Sequence, residues 1–416
     1  MPGPDTDFKS LLVIGHQWPE PGATGAGVRM LWLLNGFLQK GFHIVFASAT
    51  GSGDYRVDLG KLGIKEVEIQ INDSSFDVFL QKNEFSHVLF DRFLTEEQFG
   101  WRVRDNLPGA QVLLDTEDLH SLRHSREDAV RRGGEWSVAD WVADPMFYRE
   151  VASMFRSDLT LIISKREMEL LLSEVPYLQE KLIYLPFGMH QSALIPGVNF
   201  QGRSNFVFIG NGKHAPNRDA IAHLKTEIWP RIRQKLPEAV LQVYGAYLPT
   251  QTLQMDAPAE GFEVKGWAPE LQPVLSNARL LLAPLRFGAG IKGKILKASV
   301  FGLPVMGTTI GFEGIIDEPR DLPFVADCVE HFAQKAVTLY TNAVEWERAL
   351  AIQRQATEVH LNTSFDILSS ALDTYAKRRD VLPKETRVIQ NLLQNEAFGR
   401  LRYLSRWIEA KEKGKN

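Results

Sequence analysis

One cysteine in 416 residues, Cys328, excludes an intrachain disulfide and any cysteine-rich metal site, and a reducing cytoplasm is the compartment expected of such a chain. Long apolar runs are also missing. No window approaches the roughly eighteen apolar residues of a membrane span, and the opening MPGPDTDFKS lacks the basic start and apolar stretch of a signal peptide, so a soluble protein is expected. Charge of one sign is not in excess: 47 basic against 51 acidic residues leave −4, which removes any global reason to expect nucleic-acid binding. Asp5-Thr6-Asp7 is formally a D-x-D metal triplet, but it lies ahead of the first strand in a chain end, and no metal or other cofactor is expected. What is present is 44% hydrophobic residues, enough to bury two domains of roughly 150 to 200 residues each.

The most informative stretch runs from Arg279 to Ile316, RLLLAPLRFGAGIKGKILKASVFGLPVMGTTIGFEGII. Leu280 to Ala283 form a continuous apolar run without alternation, the pattern of a strand covered on both faces of a parallel sheet, and Pro284 ends it. Gly288, Gly290 and Gly293 let the backbone turn with its amides exposed, and the spacing predicts a helix from near Lys292 whose unsatisfied N–H groups face that loop. Phosphate is the expected guest of Gly288, Ala289, Gly290 and Ile291, with Arg286, Lys292 and Lys294 adding positive charge. Gly302 sits where a helix ends, and Pro304 blocks continuation into Val305 and Met306. The same glycines fit G-x-G-x-x-G with Glu313 about twenty residues on, so a dinucleotide site and a plain loop with solvated lysines remain alternatives; the residues between strand and first glycine weigh against the dinucleotide.

A similar plan opens the chain. LLVIG (Leu11 to Gly15) reads as a buried strand, GATGAG as a glycine loop and VRMLWLLNGFLQKG as a helix stopped by Gly41. HIVFAS, HVLFD, QVLLD, LTLII and KLIYL continue the strands, with Ser164 and Glu167 as a capping box between the last two. Residues 191–203 are polar, rich in glycine and proline and aperiodic, and mark a boundary. Beyond it come NFVFIG, a helix from about Asn217 to Lys235, AVLQVYG, GFEVKGW, RLLLAP and LPVMGTT. Alternating strands and helices predict an α/β fold of two Rossmann-like, doubly wound domains, 1–190 and 204–376, followed by a helical extension, 377–416. Ligands of such sheets bind at the carboxyl ends of the strands, so the cleft between the halves is the expected site. There Gly25, Ala26 and Gly27 offer backbone amides and Arg29 a counter-charge, against the alternative of an ordinary strand-to-helix turn.

These residues together resemble a known family. PLRFGAGIKGKILKA, FGLPVMGTT and GFEGI in the second half, with FIGNGKHAPNRDAI, EIWPRIRQKLPEAVLQVYG, FEVKGWAPELQPVLSNARLLLAP and the N-terminal GATGAGVRMLWLLNGFLQKGFHIVFAS, are similar to the group 1 (family 4-like) nucleotide-sugar glycosyltransferases of GT-B fold, over residues 8–376. The resemblance implies transfer of a sugar from a nucleoside diphosphate donor to a hydroxyl acceptor in the interdomain cleft, without bound metal and with retention. It also implies phosphate or sugar contacts from Gly210, Lys213 and Arg218, with Asn211 and Asn217 beside them, and a base site at Lys265, Gly266 and Trp267, where Trp267 either stacks on the base or simply packs. In many members two glutamates bracket the glycine loop with seven residues between them; here Ala289 and Lys297 stand at those positions.

In the first half the family's D-L-H-x-x-R wording recurs in DTEDLHSLRHSR, with Arg123 and Arg126. Glu117, Asp118 and His120, beyond Asp115 at a strand end, are the catalytic candidates, since a carboxylate and an imidazole there can orient a hydroxyl or take its proton. The alternative is a solvated helix start capped by Asp118. His16, beside the first loop, reads as a structural or acceptor-side residue. Residues 397–416 carry Arg400, Arg402, Arg406, Lys411, Lys413 and Lys415 among Leu401, Tyr403, Leu404, Trp407 and Ile408, a basic amphipathic helix suited either to peripheral contact with an anionic inner membrane face or to crossing back onto the first domain. The leading expectation is a glycosyltransferase acting on a glycan, lipid-linked or small-molecule acceptor. A nucleotide-sugar epimerase and a non-catalytic nucleotide-sugar-binding partner protein, suggested by Ala289 and Lys297, are the alternatives.

Overall fold

A computed structural model describes residues 9–189, 199–378 and 383–414; Asp5-Thr6-Asp7, most of the 191–203 stretch and Lys415 lie outside the described residues. The first sheet has the order β3-β2-β1-β4-β5-β6-β7, from β1 (Ser10–Gly15), β2 (His43–Ser48), β3 (Lys65–Glu68), β4 (His87–Asp91), β5 (Gln111–Asp115), β6 (Leu159–Ile162) and β7 (Leu182–Tyr184). The second has the order β10-β9-β8-β11-β12, from β8 (Ser204–Ile209), β9 (Leu241–Tyr244), β10 (Phe262–Gly266), β11 (Ala278–Ala283) and β12 (Val305–Gly307). Every ladder between these strands is parallel. The strand order reverses between β1 and β4 in one sheet and between β8 and β11 in the other, and those switch points place the loops after the four strands around one cleft.

Burial explains why these segments are strands. Leu11 to Ile14 in β1 and Leu280 to Ala283 in β11 are fully buried, as two-sided coverage of a parallel sheet requires. The Gly25–Gln39 helix follows β1 and is capped by the Thr24 hydroxyl, which accepts the Gly27 amide at 2.9 Å. The Gly293–Val300 helix follows β11 with Lys292 as its N-cap, and Gly302 (φ 62°) takes the left-handed conformation that ends it. The helix expected over Asn217 to Lys235 is instead three pieces: Ala215–His223, a π turn Leu224–Ile228 and Trp229–Lys235. Pro230 lacks the amide that the turn before it would need, and the ladder widens there. The short edge strand β3, KEVE, escaped the sequence reading because two of its four residues are exposed and its alternation is too short to register.

Beyond the Ala343–Leu361 helix the chain returns to the first domain, and it does so ahead of residue 377. Phe365, Leu368, Leu372 and Tyr375 join the cluster of Trp32, Leu33 and Phe37, with the Phe365 ring 4.9 Å from Phe37 and 5.8 Å from Trp32. Gly36 is required at this crossing, since a Cβ there would stand 2.1 Å from the Phe365 ring. The Lys384–Lys413 helix then crosses the Phe93–Asn106 and Pro145–Arg156 helices. Arg102 binds Asp77 and the Ser405 hydroxyl, Arg402 pairs with Asp105, and Phe398 lies under the Arg156 guanidinium at 5.3 Å. The terminal helix is thus a crossing helix on its inner face. Its outer face exposes Val388, Leu392, Tyr403, Leu404 and Trp407. No helix among the described residues is long and apolar enough to cross a membrane. Phe398→Ala removes a buried ring from this seam and should destabilise the first domain by about 3–5 kcal/mol, read as a lowered urea midpoint of its unfolding transition; a midpoint unchanged from wild type would show that the helix is not part of the folded unit.

Candidate functional site

The loops at the two switch points enclose a cavity of about 540 Å³ between the domains. Its first-domain wall includes His16, Thr24, Arg92, Glu117, Asp118, His120 and Arg123, and its second-domain wall includes Gly210, Lys213, His214, Asn217, Trp267, Lys292, Lys294 and Lys297. The glycine loop Gly288, Ala289, Gly290 and Ile291 also lines it. Most of the expected residues are therefore gathered in one place, but six are not: Arg286 pairs with Asp219 and Lys265 with Glu263, both outside the lining, and Arg29, Gly27, Arg218 and Gly266 are placed as follows. Arg29 is fully buried beneath the cavity: its guanidinium pairs with Asp115 at 2.8 Å and donates to the carbonyls of Leu185, Pro186 and Phe187, so it ties β5 to the end of the first domain rather than facing a diphosphate. Gly27 lies against the Glu20 backbone, where a Cβ would come within 2.5 Å, so its role is close packing of loop on helix. Arg218 turns back onto its own loop, bonding the carbonyls of Gly212 and Lys213 at 3.1 and 2.8 Å. Gly266 is outside the lining; its φ of 74° turns the chain that presents Trp267.

Contacts across the domains shape the cavity at both ends. At one end Arg126 grips both carboxylate oxygens of Glu313 and the Gly288 carbonyl, giving Glu313 a structural partner in place of any ribose. Glu167 does not complete a capping box. Ser164 accepts its amide at 3.4 Å, but the Glu167 carboxyl takes the amides of Leu119 at 3.0 Å and Gly290 at 2.8 Å, one from each domain. The Gly290 amide is consequently not available to an anion, and a Cβ at Gly290 (φ 63°) would meet Asp118 at 2.8 Å. At the other end, four second-domain side chains hold four successive residues of one first-domain loop. Tyr247 donates to Glu20 Oε1 at 2.7 Å, and Lys297, Trp267 and Asn211 donate to the carbonyls of Pro21, Gly22 and Ala23, each at 3.4 Å. Trp267 also stacks obliquely on Tyr55 at 4.4 Å.

Burial sets the protonation of the walls. Burial pushes the Glu167 carboxyl up to about 8 and the Glu150 carboxyl up to about 7, and burial followed by the charges of Asp115 and Asp91 drives Glu117 well above the carboxylate range. Burial lowers His120 and His214 to about 3 and Lys294 to about 7. Asp118 is the exception: burial works to raise it, but Arg123 and His120 outweigh that and leave it ionised, with His120 Nε2 3.3 Å from its Oδ1. Asp118 does not cap the helix that follows. The amides of His120 and Ser121 are taken by the Glu150 carboxyl, from a neighbouring helix that the sequence reading did not connect to the site. Lys294 Nζ rests on Asn217 Oδ1 at 2.7 Å and Lys292 Nζ on the Gly290 carbonyl at 3.0 Å.

The sequence reading also passed over Arg92, which stands at the end of β4 and lines the cavity with φ 72° and ψ 156°. Glu117 is likewise left-handed at φ 62°. Side-chain residues held in such regions store on the order of 1–3 kcal/mol each, and such strain concentrates where ligands bind. The only sequence signal for Arg92 is its place directly after a switch-point strand.

Residues 203–342 match the sequence profile of the group 1 glycosyl transferases. Among solved structures, the chain is similar to TarM, described from S. aureus (10% identity, 89% of this chain and 99% of that one, TM-score 0.65). It is similar also to the pneumococcal O-GlcNAc transferase GtfA in complex with UDP and GlcNAc (12%, 89% and 99%, 0.63) and to Anabaena HepE in complex with UDP and glucose (11%, 90% and 100%, 0.60). At these identities the structures establish the fold, which is GT-B. No curated protein sequence matches the chain significantly.

The Glu167 bridge makes a pH-dependent claim. Its folded pKa lies above the unfolded value, so the stability tied to its neutral form is complete below the ordinary carboxylate range and is lost as pH rises towards about 8. Glu167→Gln keeps the oxygen acceptor and cannot ionise, so its melting temperature should gain on wild type steadily from pH 5 to pH 8. A difference that stays constant across that range would show Glu167 to be ionised in the folded protein.

Proposed function

We propose that this chain, of GT-B fold and with residues 203–342 matching the group 1 profile, is a glycosyltransferase that moves a sugar from a nucleoside diphosphate sugar to a hydroxyl acceptor in the interdomain cavity, with retention and without a bound metal. The observation that carries the reading is the pair of buried, cavity-lining lysines where the glycine loop after β11 meets the Gly293–Val300 helix. Lys292 and Lys294 stand at the first turn of that helix, both line the cavity, and both are lowered below their ordinary pKa by burial, so each is poised to recover its charge beside an anion. As the bond between sugar and diphosphate breaks, negative charge grows on the departing phosphate, and fixed lysines with the helix N-terminus stabilise it without reorganising. The nucleoside then extends toward Trp267, with Lys213 and Gly210 along the way. Glu117, Asp118 and His120 face the acceptor from the first-domain wall, where ionised Asp118 orients neutral His120.

Neighbours crystallised with UDP, such as GtfA and HepE, support a nucleoside diphosphate as the leaving group. The outer face of the Lys384–Lys413 helix supports a cytoplasmic enzyme working at an anionic membrane surface on a lipid-linked or glycan acceptor. Tyr403 and Trp407 are 74% and 60% exposed there, with Arg400, Arg406 and Lys411 around them. Replacing Tyr403 and Trp407 together by Ser should weaken binding to phosphatidylglycerol vesicles at least tenfold while leaving nucleotide binding unchanged; equal vesicle binding by the variant would remove the membrane from the proposal.

Nucleoside diphosphate binding tests the main reading. Calorimetry in EDTA should show binding as strong as in magnesium. Lys294→Ala should weaken it roughly ten- to a hundredfold, the size of one charged hydrogen bond, with a smaller loss for Lys292→Ala. Because the free protein's Lys294 titrates at about 7 and the anion requires its charged form, wild-type affinity should fall as pH rises from 6.5 to 8.5, with proton uptake on binding, and Lys294→Arg should flatten that slope. Binding indifferent to both lysines would move the diphosphate elsewhere, and an absolute need for magnesium would end the metal-free reading.

A further inference from the structure

Arg92 follows β4, and its side chain lines the cavity beside His16, Glu117 and His120. Its backbone, at φ 72° and ψ 156°, lies in a region that glycine enters freely and other residues essentially do not. Three hydrogen bonds hold it there: the Arg92 amide donates to the Asp115 carbonyl at 2.7 Å, and the Thr95 amide and hydroxyl donate to the Arg92 carbonyl at 3.2 and 3.0 Å. A glycine would satisfy all three bonds without strain, so what this position adds over glycine is the guanidinium itself.

That guanidinium makes no hydrogen bond among the described residues. The nearest carboxylate oxygen, Asp91 Oδ1, is 3.7 Å away, and the other oxygen of Asp91 takes the His16 amide at 3.0 Å. Asp115 and Asp118 also hold the Arg92 charge in place, but their hydrogen bonds go elsewhere, Asp115 to Arg29 and Asp118 to Arg123, with His120 beside it. Glu117 stands on the same wall, 7% exposed, with Oε1 buried and without a hydrogen-bond partner. Burial, then the charges of Asp115 and Asp91, push that carboxyl well above the carboxylate range, which favours the neutral form that can offer an O–H donor beside the Arg92 charge. The cationic lysines Lys213, Lys292, Lys294 and Lys297 belong to the other domain's wall.

We infer that Arg92 and Glu117 form the anchoring point for the acceptor, and that they recognise an oxyanion, phosphate or carboxylate, which the acceptor carries beside the hydroxyl that reacts. The planar guanidinium forks onto two oxygens of such a group, and the Glu117 O–H reaches a third or the neighbouring hydroxyl. This rests on the glycosyltransferase reading above, since it assigns the acceptor half of the same cavity.

The test uses full-length protein saturated with a nucleoside diphosphate, titrated by calorimetry with monosaccharides as the neutral sugar, the 6-phosphate and the uronate. Wild type should bind one acidic form at least tenfold tighter than its neutral parent, the phosphate and uronate arms telling which oxyanion is read. Arg92→Ala and Arg92→Gly should both abolish that preference while keeping wild-type nucleoside diphosphate affinity. Arg92→Gly, relieved of strain, should melt no lower than wild type, which a merely structural arginine would not allow. Equal binding of acidic and neutral sugars by wild type overturns the inference, as does a preference that survives in both variants. Loss of nucleotide affinity in the Arg92 variants also overturns it by placing Arg92 on the donor. A wild-type protein that binds no nucleoside diphosphate defeats the glycosyltransferase reading instead, and the sugar titrations without nucleotide still report on Arg92.

Discussion

The carboxyl of Glu167 accepts an amide from Leu119 in the first domain and an amide from Gly290 in the second, and the spacing of the whole cavity depends on that bridge. Leu119 leads into the helix that carries His120 and Arg123, while Gly290 is the middle of the loop that precedes Lys292. One buried carboxyl therefore helps set how far the first-domain wall stands from the second-domain wall. Arg126 and Glu313 fix the same edge from outside, and the four side chains on Glu20 to Ala23 fix the opposite edge. Without the glycine at 290 the Asp118 side chain and the loop would collide, so the bridge and the glycine are one requirement.

The electrostatics follow from the same enclosure. A cavity closed on two sides holds its ionisable groups away from water, and groups kept from water favour their neutral forms unless a partner opposes it. Lysines below their ordinary pKa and the Glu117 carboxyl above its own share the walls, while Asp118, with Arg123 and His120 against it, keeps its charge. An incoming polyanion changes this balance more than it would on an open surface, because each lysine it recharges gains a partner in a poorly solvated place.

Much of this was legible in the sequence. The buried strands, the glycine loop, the helix from Lys292 and the α/β architecture all leave local signatures: unbroken apolar runs, glycine where φ is positive, proline where a helix must stop. Cavity residues such as His120, Lys294 and Trp267 could be placed because each lies in a recognisable loop or helix start beyond the carboxyl end of a strand. The failures share a physical cause, since a side chain's direction depends on partners far away in sequence. Arg29 reads as a cleft cation until Asp115 claims it, Glu167 reads as a capping residue until Gly290 arrives, and Glu150 carries no local sign that it will seat the amides of His120 and Ser121. Arg92 was hidden for another reason: its unusual backbone is imposed by the Asp115 carbonyl and leaves no mark in the residue type.

The route of the chain has a consequence for its synthesis. The strands of the first sheet end at Tyr184, but part of the surface around Trp32 and Phe37 is covered by Phe365, Leu368, Leu372 and Tyr375, and the Phe93–Asn106 and Pro145–Arg156 helices are covered by the Lys384–Lys413 helix. At about 5–20 residues per second, the ribosome needs on the order of 10 to 40 seconds to make the intervening second domain. For that interval the nascent first domain has its sheet but not its cover, and its uncovered apolar surface is open to chaperones or to other nascent chains. The second domain, which is continuous in sequence, has no such wait, so the half that holds Lys292 and Lys294 is complete before the half that holds Arg92.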